Sequence, residues 1–412
     1  MAASESFVIV GGGMAGAKGA EALRAQGFDG RITLIGDEQH RPYERPPLSK
    51  DYLLGSSEFD DAYVHSPEWY EQNSVELRLG TRVDRLDRAL RQVELSDGSH
   101  AEFDKLLLAT GATPRSLPVP GSDADGVLLL RRVGDSDRIK RTLADVERLV
   151  VIGAGWIGLE VTAAARQAGV EVTVVETAEL PLLQALGPEV AEVFAALHRE
   201  RGVRFRFRSS VQEILTSGGS VAGVRLADGA DIDAQAVLIA VGAAPEVSLA
   251  QEAGLRCSNG VLVDATLRTT DPNVVAAGDV ANAFNPVLGR QIRVEHWANA
   301  LNQPSVAATS MLGGDITYSD LPYFFTDQYT DFGMEFQGHV TPDGYDEVLF
   351  RGDVESREFI AFWLADGRVL AGMNANVWDS TEQIKSLITT GTRIDRNALT
   401  DPEVPLTRAL AG

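Results

Sequence analysis

Six glycines form two copies of the spacing Gly-x-Gly-x-x-Gly, which suits the binding of a dinucleotide pyrophosphate. The first glycine of such a motif permits a tight turn, the second lets the backbone approach the pyrophosphate, and the third lets a helix pack closely on a strand. The phosphates then bind the N–H groups at the positive end of that helix. The six residues are Gly11, Gly13, Gly16, Gly153, Gly155 and Gly158.

Each motif sits in the elements that it needs. A short β-branched strand precedes it, an alanine-rich helix follows it, and a second strand ends in an acid, Asp37 in the first copy and Glu176 in the second. An acid at that point is placed to bond a ribose 2′-hydroxyl. A single copy could be a plain glycine turn between a strand and a helix. Two complete copies predict two dinucleotide sites.

The residues after Glu176 indicate which dinucleotide binds the second copy. Thr177, Ala178, Glu179 and Leu180 include neither arginine nor lysine. A carboxylate without a basic neighbour repels the 2′-phosphate of NADP, so the second site is predicted to favour NADH. The pattern of the first copy does not distinguish FAD from NAD.

Two further segments share an apolar strand, a glycine and a proline. The segment 103–115, FDKLLLATGATPR, contains Ala109, Thr110 and Gly111, and the segment 233–246, DAQAVLIAVGAAPE, contains Val241 and Gly242. Either segment alone could be a buried strand with a glycine turn. Because one accompanies each nucleotide motif, we predict that the chain crosses between domains there, beside a bound dinucleotide.

The segment RPYERPPLSK, residues 41–50, could be a solvated connector or a stiff wall that fixes Lys50. Two adjacent prolines remove two backbone donors and set the direction of the chain. Ser49 is predicted to cap the helix that begins in KDYLLG. Glu160 is predicted to lie in the first turn of the second motif's helix, where a favourable interaction with the helix dipole is an alternative to a catalytic role.

Composition excludes several classes of function. The 412-residue chain has a net charge of −22, which disfavours nucleic acid and anionic lipid as partners. The single cysteine, Cys257, excludes a disulfide framework, a CxxC pair and a protein-ligated cluster, and we expect it to be a small, buried or half-buried filler. No histidine spacing indicates a metal site. The start of the chain lacks the pattern of a signal peptide, and we expect a soluble, cytoplasmic protein without a membrane span.

The repeat and the crossing segments predict an α/β fold with three domains. Residues 1–113 and 243–320 would form the domain of the first dinucleotide motif, 114–242 an inserted NADH domain, and 321–412 a C-terminal α+β domain. Within the last, FIAFWLADGRVLAGMNANVW is predicted to form two strands joined by a turn at ADGR.

Over essentially its whole length the chain resembles the FAD- and NADH-dependent ferredoxin reductases of bacterial oxygenase systems. The resemblance rests on PYERPPLSK, IGAGWIGLEV, AAGDVAN, RVEHWANALNQ and PYFFTDQY. It implies a glutathione-reductase-like flavoprotein with two Rossmann-like domains, with FAD on the first motif. It also implies that electrons pass from NADH through FAD to an iron–sulfur ferredoxin, of [2Fe–2S] type, that serves a cytochrome P-450 or Rieske-type oxygenase.

The resemblance also implies roles for individual residues. Two residues implied to contact FAD also have an alternative role: Asp279 could cap a helix, and Trp297 could belong to the core or to an interface. The residues implied for FAD are Gly11, Gly13, Ala15, Gly16, Asp37, Lys50, Val83, Ala109, Thr110, Gly111, Arg131, Asp279, Trp297 and Phe325. Those for NADH are Gly153, Gly155, Ile157, Gly158, Glu160, Glu176, Val241 and Gly242.

Lys50 and Glu160 are the predicted catalytic pair. We expect a partly buried ion pair beside the flavin, because each charge would be costly there without the other. An acidic ferredoxin would need a local positive field, for which Arg290 and Arg293 are the candidates.

Three other functions compete with this prediction. An NADH oxidase, or a redox flavoprotein similar to apoptosis-inducing factor, is the main alternative. A peroxidase or disulfide reductase is disfavoured, because no cysteine precedes Cys257. A non-enzymatic NADH-binding scaffold would not need Lys50 and Glu160.

Overall fold

The computed structural model describes residues 5–410, which form two compact units. The first unit holds residues 5–45, 58–113 and 243–320, and the second holds 46–57, 114–242 and 321–410. Both are built on a parallel sheet, so the predicted α/β fold is confirmed. The division into three domains stays a prediction.

A five-stranded parallel sheet forms the centre of the first unit. Its central strand is buried in the part that approaches Gly11, as expected of a parallel strand with both faces covered. The strands, in spatial order, are Val274–Ala276, Lys105–Leu108, Ser6–Val10, Arg31–Ile35 and Val75–Arg78.

Smaller elements complete the first unit. One three-stranded sheet contains Val83–Asp87, Gln92–Leu95 and His100–Glu102, and another contains Val261–Val263, Ala281–Asn285 and Arg290–Ile292. The helices are Met14–Ala25, Pro67–Gln72, Ser248–Glu252 and Trp297–Met311, with a 3₁₀ turn at Phe59–Ala62. Two short strands, Ala112–Pro114 and Ala243–Pro245, lie where the chain passes from one unit to the other.

The second unit repeats the parallel sheet. Gly153 N–H donates to the Val175 carbonyl at 2.9 Å, just as Gly11 N–H donates to the Ile35 carbonyl at 2.8 Å. The turn after the first strand is therefore built the same way twice. The strands, in spatial order, are Arg204–Arg206, Glu171–Val175, Arg148–Ile152, Ala236–Ile239 and Val127–Leu128.

A second, antiparallel sheet is formed by the C-terminal segment. Its order is Tyr323–Gln328, Phe332–Gly338, Arg368–Ala375, Glu358–Ala365 and Glu347–Asp353. Strands Glu358–Ala365 and Arg368–Ala375 pair across a turn at Asp366 and Gly367, so the predicted hairpin is confirmed. Trp363 is fully buried in this sheet, and its indole N–H donates to the Leu186 carbonyl at 3.0 Å.

The remaining elements of the second unit flank these sheets. A three-stranded sheet contains Val211–Ser217, Ser220–Leu226 and Asp231–Asp233. The helices are Asp51–Leu54, Val133–Asp145, Trp156–Gln167, Leu183–Glu200, Thr381–Thr390 and Arg396–Thr400, with 3₁₀ turns at Pro46–Ser49 and Leu406–Arg408. Within residues 5–410, no helix combines the length and apolar character needed to cross a membrane.

The strand Tyr323–Gln328, here called the edge strand, packs one face against the nucleotide half of the second unit. Alternate residues of a strand point to the same side, so Phe324, Thr326 and Gln328 share that face. The Phe324 ring lies 4.7 Å from the Trp156 ring, and Gln328 Oε1 lies 2.8 Å from His198 Nε2. The C-terminal segment is thus joined to the second motif's helix.

Candidate functional site

The first and third glycines of the first motif are required by the fold. Gly11 has φ = +124°, and a Cβ on it would stand 2.1 Å from the Ala109 carbonyl oxygen. A Cβ on Gly16 would stand 2.1 Å from the Gly11 oxygen. Any side chain at these points would force the strands and the helix Met14–Ala25 apart.

The second motif shows the same two constraints. Gly153 has φ = +101°, and a Cβ there would stand 2.4 Å from the Ala240 oxygen. A Cβ on Gly158 would stand 2.2 Å from the Gly153 oxygen. The predicted turn chemistry is therefore present in both copies.

The middle glycines, Gly13 and Gly155, are not explained by the fold. Their φ values of −91° and −81° suit any residue, and a Cβ on either would meet nothing within 4 Å among residues 5–410. Both stand at helix N-caps and offer no side chain to the first-turn N–H groups. The open space in front of them fits the close approach of a pyrophosphate to a helix N-terminus. Both motifs thus fit a dinucleotide, as FAD and NADH require.

The two predicted ribose-binding acids do not occupy equivalent positions. Glu176 directly follows its strand, and its carboxylate accepts the Ala154 N–H at 2.7 Å and the Ala178 N–H at 2.8 Å. Asp37 stands one residue further from its strand, because Gly36 takes the place equivalent to Glu176. A Cβ on Gly36 would lie 2.8 Å from the Gly12 Cα, so an acid does not fit there. The ribose role of both acids stays a prediction.

Basic residues do lie near Glu176, which the local sequence did not reveal. The neighbouring strand ends at Arg206, whose carbonyl accepts the Glu176 N–H at 2.9 Å. Arg208 N–H donates to the Ala178 carbonyl, and its guanidinium pairs with Glu179. Strand pairing, rather than chain proximity, brings the backbone of these two arginines beside Glu176 and Ala178.

The two crossing segments end beside the motif turns. The Ala109 and Ala240 carbonyls are the groups that Gly11 and Gly153 approach. Gly111 and Gly242, both predicted to contact a dinucleotide, adopt φ = +72° and +93°. Val241, also predicted, lies between Ala240 and Gly242 in the chain. These contacts place the segments next to the predicted dinucleotide sites.

Three further predicted contacts, Thr110, Ala15 and Ile157, lie on or beside the same turns, and a fourth, Val83, lies on another strand. Thr110 Oγ1 donates to the Glu246 carbonyl at 2.7 Å. Ala15 is buried and lies close enough to Gly278 that a Cβ on Gly278 would stand 2.9 Å from its Cβ. Ile157 is an exposed residue of the second helix's first turn, and Val83 begins the strand Val83–Asp87. Their cofactor contacts stay predictions.

The structure decides the alternative for Asp279, while the cofactor contact of Trp297 stays a prediction. Asp279 lies in a turn that leads into strand Ala281–Asn285, so the helix-cap interpretation is wrong. Trp297 begins the helix Trp297–Met311, is half-buried, and donates its indole N–H to Glu44 Oε2 at 2.9 Å. Glu44 belongs to the 41–50 segment, which therefore meets this helix start within the first unit.

Arg293 is not available as a docking residue. Its side chain is 9% exposed, pairs with Glu295, and donates to the Asp279 carbonyl at 3.1 Å. The predicted docking role of Arg293 is therefore wrong, because its side chain is largely buried. Arg290, the other candidate, is exposed.

Lys50 and Glu160 form the predicted ion pair. Lys50 Nζ lies 2.8 Å from Glu160 Oε1, with the two side chains 14% and 5% exposed. Glu160 is the fifth residue of the helix Trp156–Gln167, beyond the first turn where we expected it. Because the dipole interaction fades after the first turn, it does not account for this acid.

Two hydroxyl groups complete the shell of Glu160. Thr326 Oγ1 donates to Oε1 at 2.6 Å, and Ser49 Oγ donates to Oε2. Ser49 was predicted to cap the next helix, but that helix, Asp51–Leu54, has Lys50 at its N-cap. The expectation was wrong because the helix begins one residue later and the Ser49 hydroxyl instead donates to the buried carboxylate. Thr326 was missed, although it is a polar residue within the apolar segment PYFFTDQY.

Two more side chains, Phe325 and Asp327, lie near this pair. Lys50 Nζ lies 5.5 Å from the centre of the Phe325 ring, within cation–π range. Burial raises the pKa of the Asp327 carboxyl, an effect that Lys50 opposes and Glu160 reinforces. Arg131 is half-buried, and its backbone N–H donates to Asp135 at 2.9 Å.

Family comparisons agree with this arrangement. Residues 5–303 match the pyridine nucleotide-disulphide oxidoreductase family, and residues 323–410 match the reductase C-terminal family. The ferredoxin–NAD(+) reductase component of the anthranilate 1,2-dioxygenase system of Burkholderia cepacia is 42% identical, covering 98% of each chain. Putidaredoxin reductase of Pseudomonas putida is 37% identical, covering 100% of this chain and 98% of its own.

The fold comparison gives the same result. The reductase in the crystal structure of the covalent putidaredoxin reductase–putidaredoxin complex superposes with a TM-score of 0.94, at 37% identity, covering 99% of this chain and 98% of its own. The predicted resemblance, fold and cofactors are confirmed. The chain belongs to the FAD- and NADH-dependent ferredoxin–NAD(+) reductase family of bacterial oxygenase systems.

Proposed function

We propose that this chain carries electrons from NADH through FAD to a small [2Fe–2S] ferredoxin that serves a cytochrome P-450 or Rieske-type oxygenase. The observation that carries the proposal is the buried Lys50–Glu160 pair in a chain with two open nucleotide cradles. The relatives named above, each a reductase, support the choice of acceptor. A binding scaffold would gain nothing from burying this ion pair.

The two motifs would divide the cofactors, with FAD at Gly11–Gly16 and NADH at Gly153–Gly158. FAD supplies the electron carrier between a two-electron donor and a one-electron acceptor. Cys257, the only cysteine of the sequence, is half-buried as expected, and burial raises the pKa of its thiol. The name of the pyridine nucleotide-disulphide oxidoreductase family refers to disulfide chemistry, but this sequence lacks the two thiols that such chemistry needs.

The protein's own contribution is to hold one ammonium in place. Glu160 fixes Lys50 Nζ, and the burial of both side chains keeps water from competing with that bond. A fixed charge that needs no reorganisation is the main device by which a protein favours a charged transition state. On this ground we propose Lys50 and Glu160 as the catalytic pair. We also propose that the protein is cytoplasmic, where NADH is available.

Purified protein tests the proposal directly. An FAD absorption spectrum, bleaching by NADH in preference to NADPH, and cytochrome c reduction that depends on added [2Fe–2S] ferredoxin are the expected results. Oxygen consumption without any ferredoxin dependence would instead indicate an NADH oxidase. A long-lived charge-transfer band with slow electron output would indicate a protein similar to apoptosis-inducing factor.

A further inference from the structure

Within residues 5–410, the carboxylate of Glu160 receives hydrogen bonds from donors on two other parts of the chain. Lys50 and Thr326 donate to Oε1, and Ser49 donates to Oε2. An ionised carboxylate only accepts, so each of these neighbours is matched to the charged form. Both oxygens are engaged, which leaves the carboxylate a single orientation.

Thr326 is the donor whose position is set by a sheet. Its side chain is 1% exposed, and its backbone pairs with Met334 in the middle of the edge strand. On the same face, Phe324 packs on Trp156 and Gln328 bonds His198. The backbone that carries the hydroxyl is therefore fixed by the sheet and by the contacts of the two neighbours on the same face.

We propose that Thr326 is a positioning residue that orients Glu160 and, through Glu160, Lys50 Nζ. This inference rests on the proposed role of the Lys50–Glu160 pair, and it gives the C-terminal segment a part in the reaction centre. Without the Thr326 hydroxyl, the flexible Lys50 ammonium is the one donor left on Oε1 within residues 5–410. Because the terminal torsion of a glutamate is broad, the carboxylate can shift. The acceptor for Lys50 then moves, and Lys50 Nζ moves with it.

Thr326→Val removes the hydroxyl and keeps the shape, while Thr326→Ser keeps the hydroxyl. Thr162→Val is the matched control, because Thr162 is fully buried on the same helix as Glu160 and its Oγ1 has no partner among residues 5–410. In rapid mixing with NADH, Thr326→Val should lower the limiting rate of flavin reduction by about tenfold. The dissociation constant for NADH should stay within about twofold, and the serine and control variants should resemble wild type.

A second readout does not depend on activity. In reductive methylation followed by peptide mass spectrometry, the Lys50 amine should react about threefold faster in Thr326→Val than in wild type or Thr162→Val. Equal labelling of Lys50 in all variants would overturn the inference. Faster labelling with an unchanged rate of flavin reduction would uphold the inference and refute the catalytic role of the pair. If Thr326→Val does not fold, Thr326→Ala gives the same two readings.

Discussion

Lys50 and Glu160 are 110 positions apart in the chain, and their side chains meet at 2.8 Å. The segment that carries Lys50 is anchored nearby, because Ser136 Oγ donates to the Leu48 carbonyl at 2.7 Å and Tyr52 donates to Asp137 at 2.5 Å. The interpretation of this segment as a solvated connector is therefore wrong. It is a stiff support for one amine.

The middle glycines give a direct test of the nucleotide cradles. Gly155→Ala should weaken NADH binding about tenfold or more, because its methyl group would fill the space in front of the helix N-terminus. Gly13→Ala should weaken FAD retention for the same reason. Neither change should lower the thermal midpoint of the cofactor-free protein, since neither methyl group meets another atom there.

Gly134→Ala is the matched control for both changes. Gly134 also has open space around its missing Cβ, but it belongs to the helix Val133–Asp145 and to neither motif. Alanine favours a helix, so this variant should bind both cofactors normally. Isothermal titration of NADH and the FAD content after gel filtration provide the measurements. Normal cofactor binding by Gly155→Ala and Gly13→Ala would contradict the assignment.

Glu176 is expected to set the preference for NADH over NADPH. Glu176→Gln keeps an acceptor for the Ala154 N–H but removes the negative charge, while Arg206 stays nearby. The ratio of kcat/KM for NADH to that for NADPH should fall by about tenfold. Glu171→Gln, at the other end of the same strand, should leave the ratio unchanged. An unchanged ratio in Glu176→Gln would show that this carboxylate does not face the ribose.

His198 should make the protein less stable in acid. Burial lowers the pKa of His198 to about 4, with Gln328, Tyr329 and Arg201 as the groups that face it. An unfolded histidine has a pKa near 6.5, so the unfolded state binds more protons between these values. The free energy of unfolding is therefore unaffected above pH 6.5 and falls as pH drops from there towards 4.

Urea unfolding at several pH values checks this expectation. Between pH 6.5 and 5, the wild type should lose roughly 1.5 kcal/mol more than His198→Gln, which cannot be protonated. Parallel pH dependences of the two proteins would mean that His198 is not kept neutral by burial.

What could be predicted from sequence was local. The spacing Gly-x-Gly-x-x-Gly is enough to predict the tight turns at Gly11 and Gly153 and the helices that follow them. The ion pair of Lys50 with Glu160 was predicted from family resemblance and from the cost of burying one charge alone.

What could not be predicted depends on pairing between distant strands and helices. Thr326 reaches Glu160 because an edge strand packs on a helix, and Arg206 reaches Glu176 because two strands are neighbours in a sheet. No short-range sequence motif indicates either contact, because the residues concerned are far apart in the chain. Ser49 was assigned to the nearest helix end because local propensity could not reveal a buried carboxylate from another segment.

Arg290 remains the candidate contact for an acidic ferredoxin. It is exposed at a hairpin that also exposes Phe284 and Val287, at 40% and 48%. Arg290→Glu should raise the apparent KM for ferredoxin about threefold at low salt, and added salt should reduce the effect. Arg141→Glu, an exposed change on the helix Val133–Asp145, is the control. An unchanged KM at low salt would remove Arg290 from the docking surface.

Flavin reduction in Lys50→Met is the sharpest test of the proposed role of the Lys50–Glu160 pair. The variant keeps a long side chain but lacks the ammonium that Glu160 holds, and Ser49 and Thr326 still bond the carboxylate. In anaerobic rapid mixing with NADH, we expect full FAD content and a limiting rate at least about tenfold below wild type. A rate equal to that of wild type, with FAD bound, would contradict the claim that this ion pair is the reaction centre.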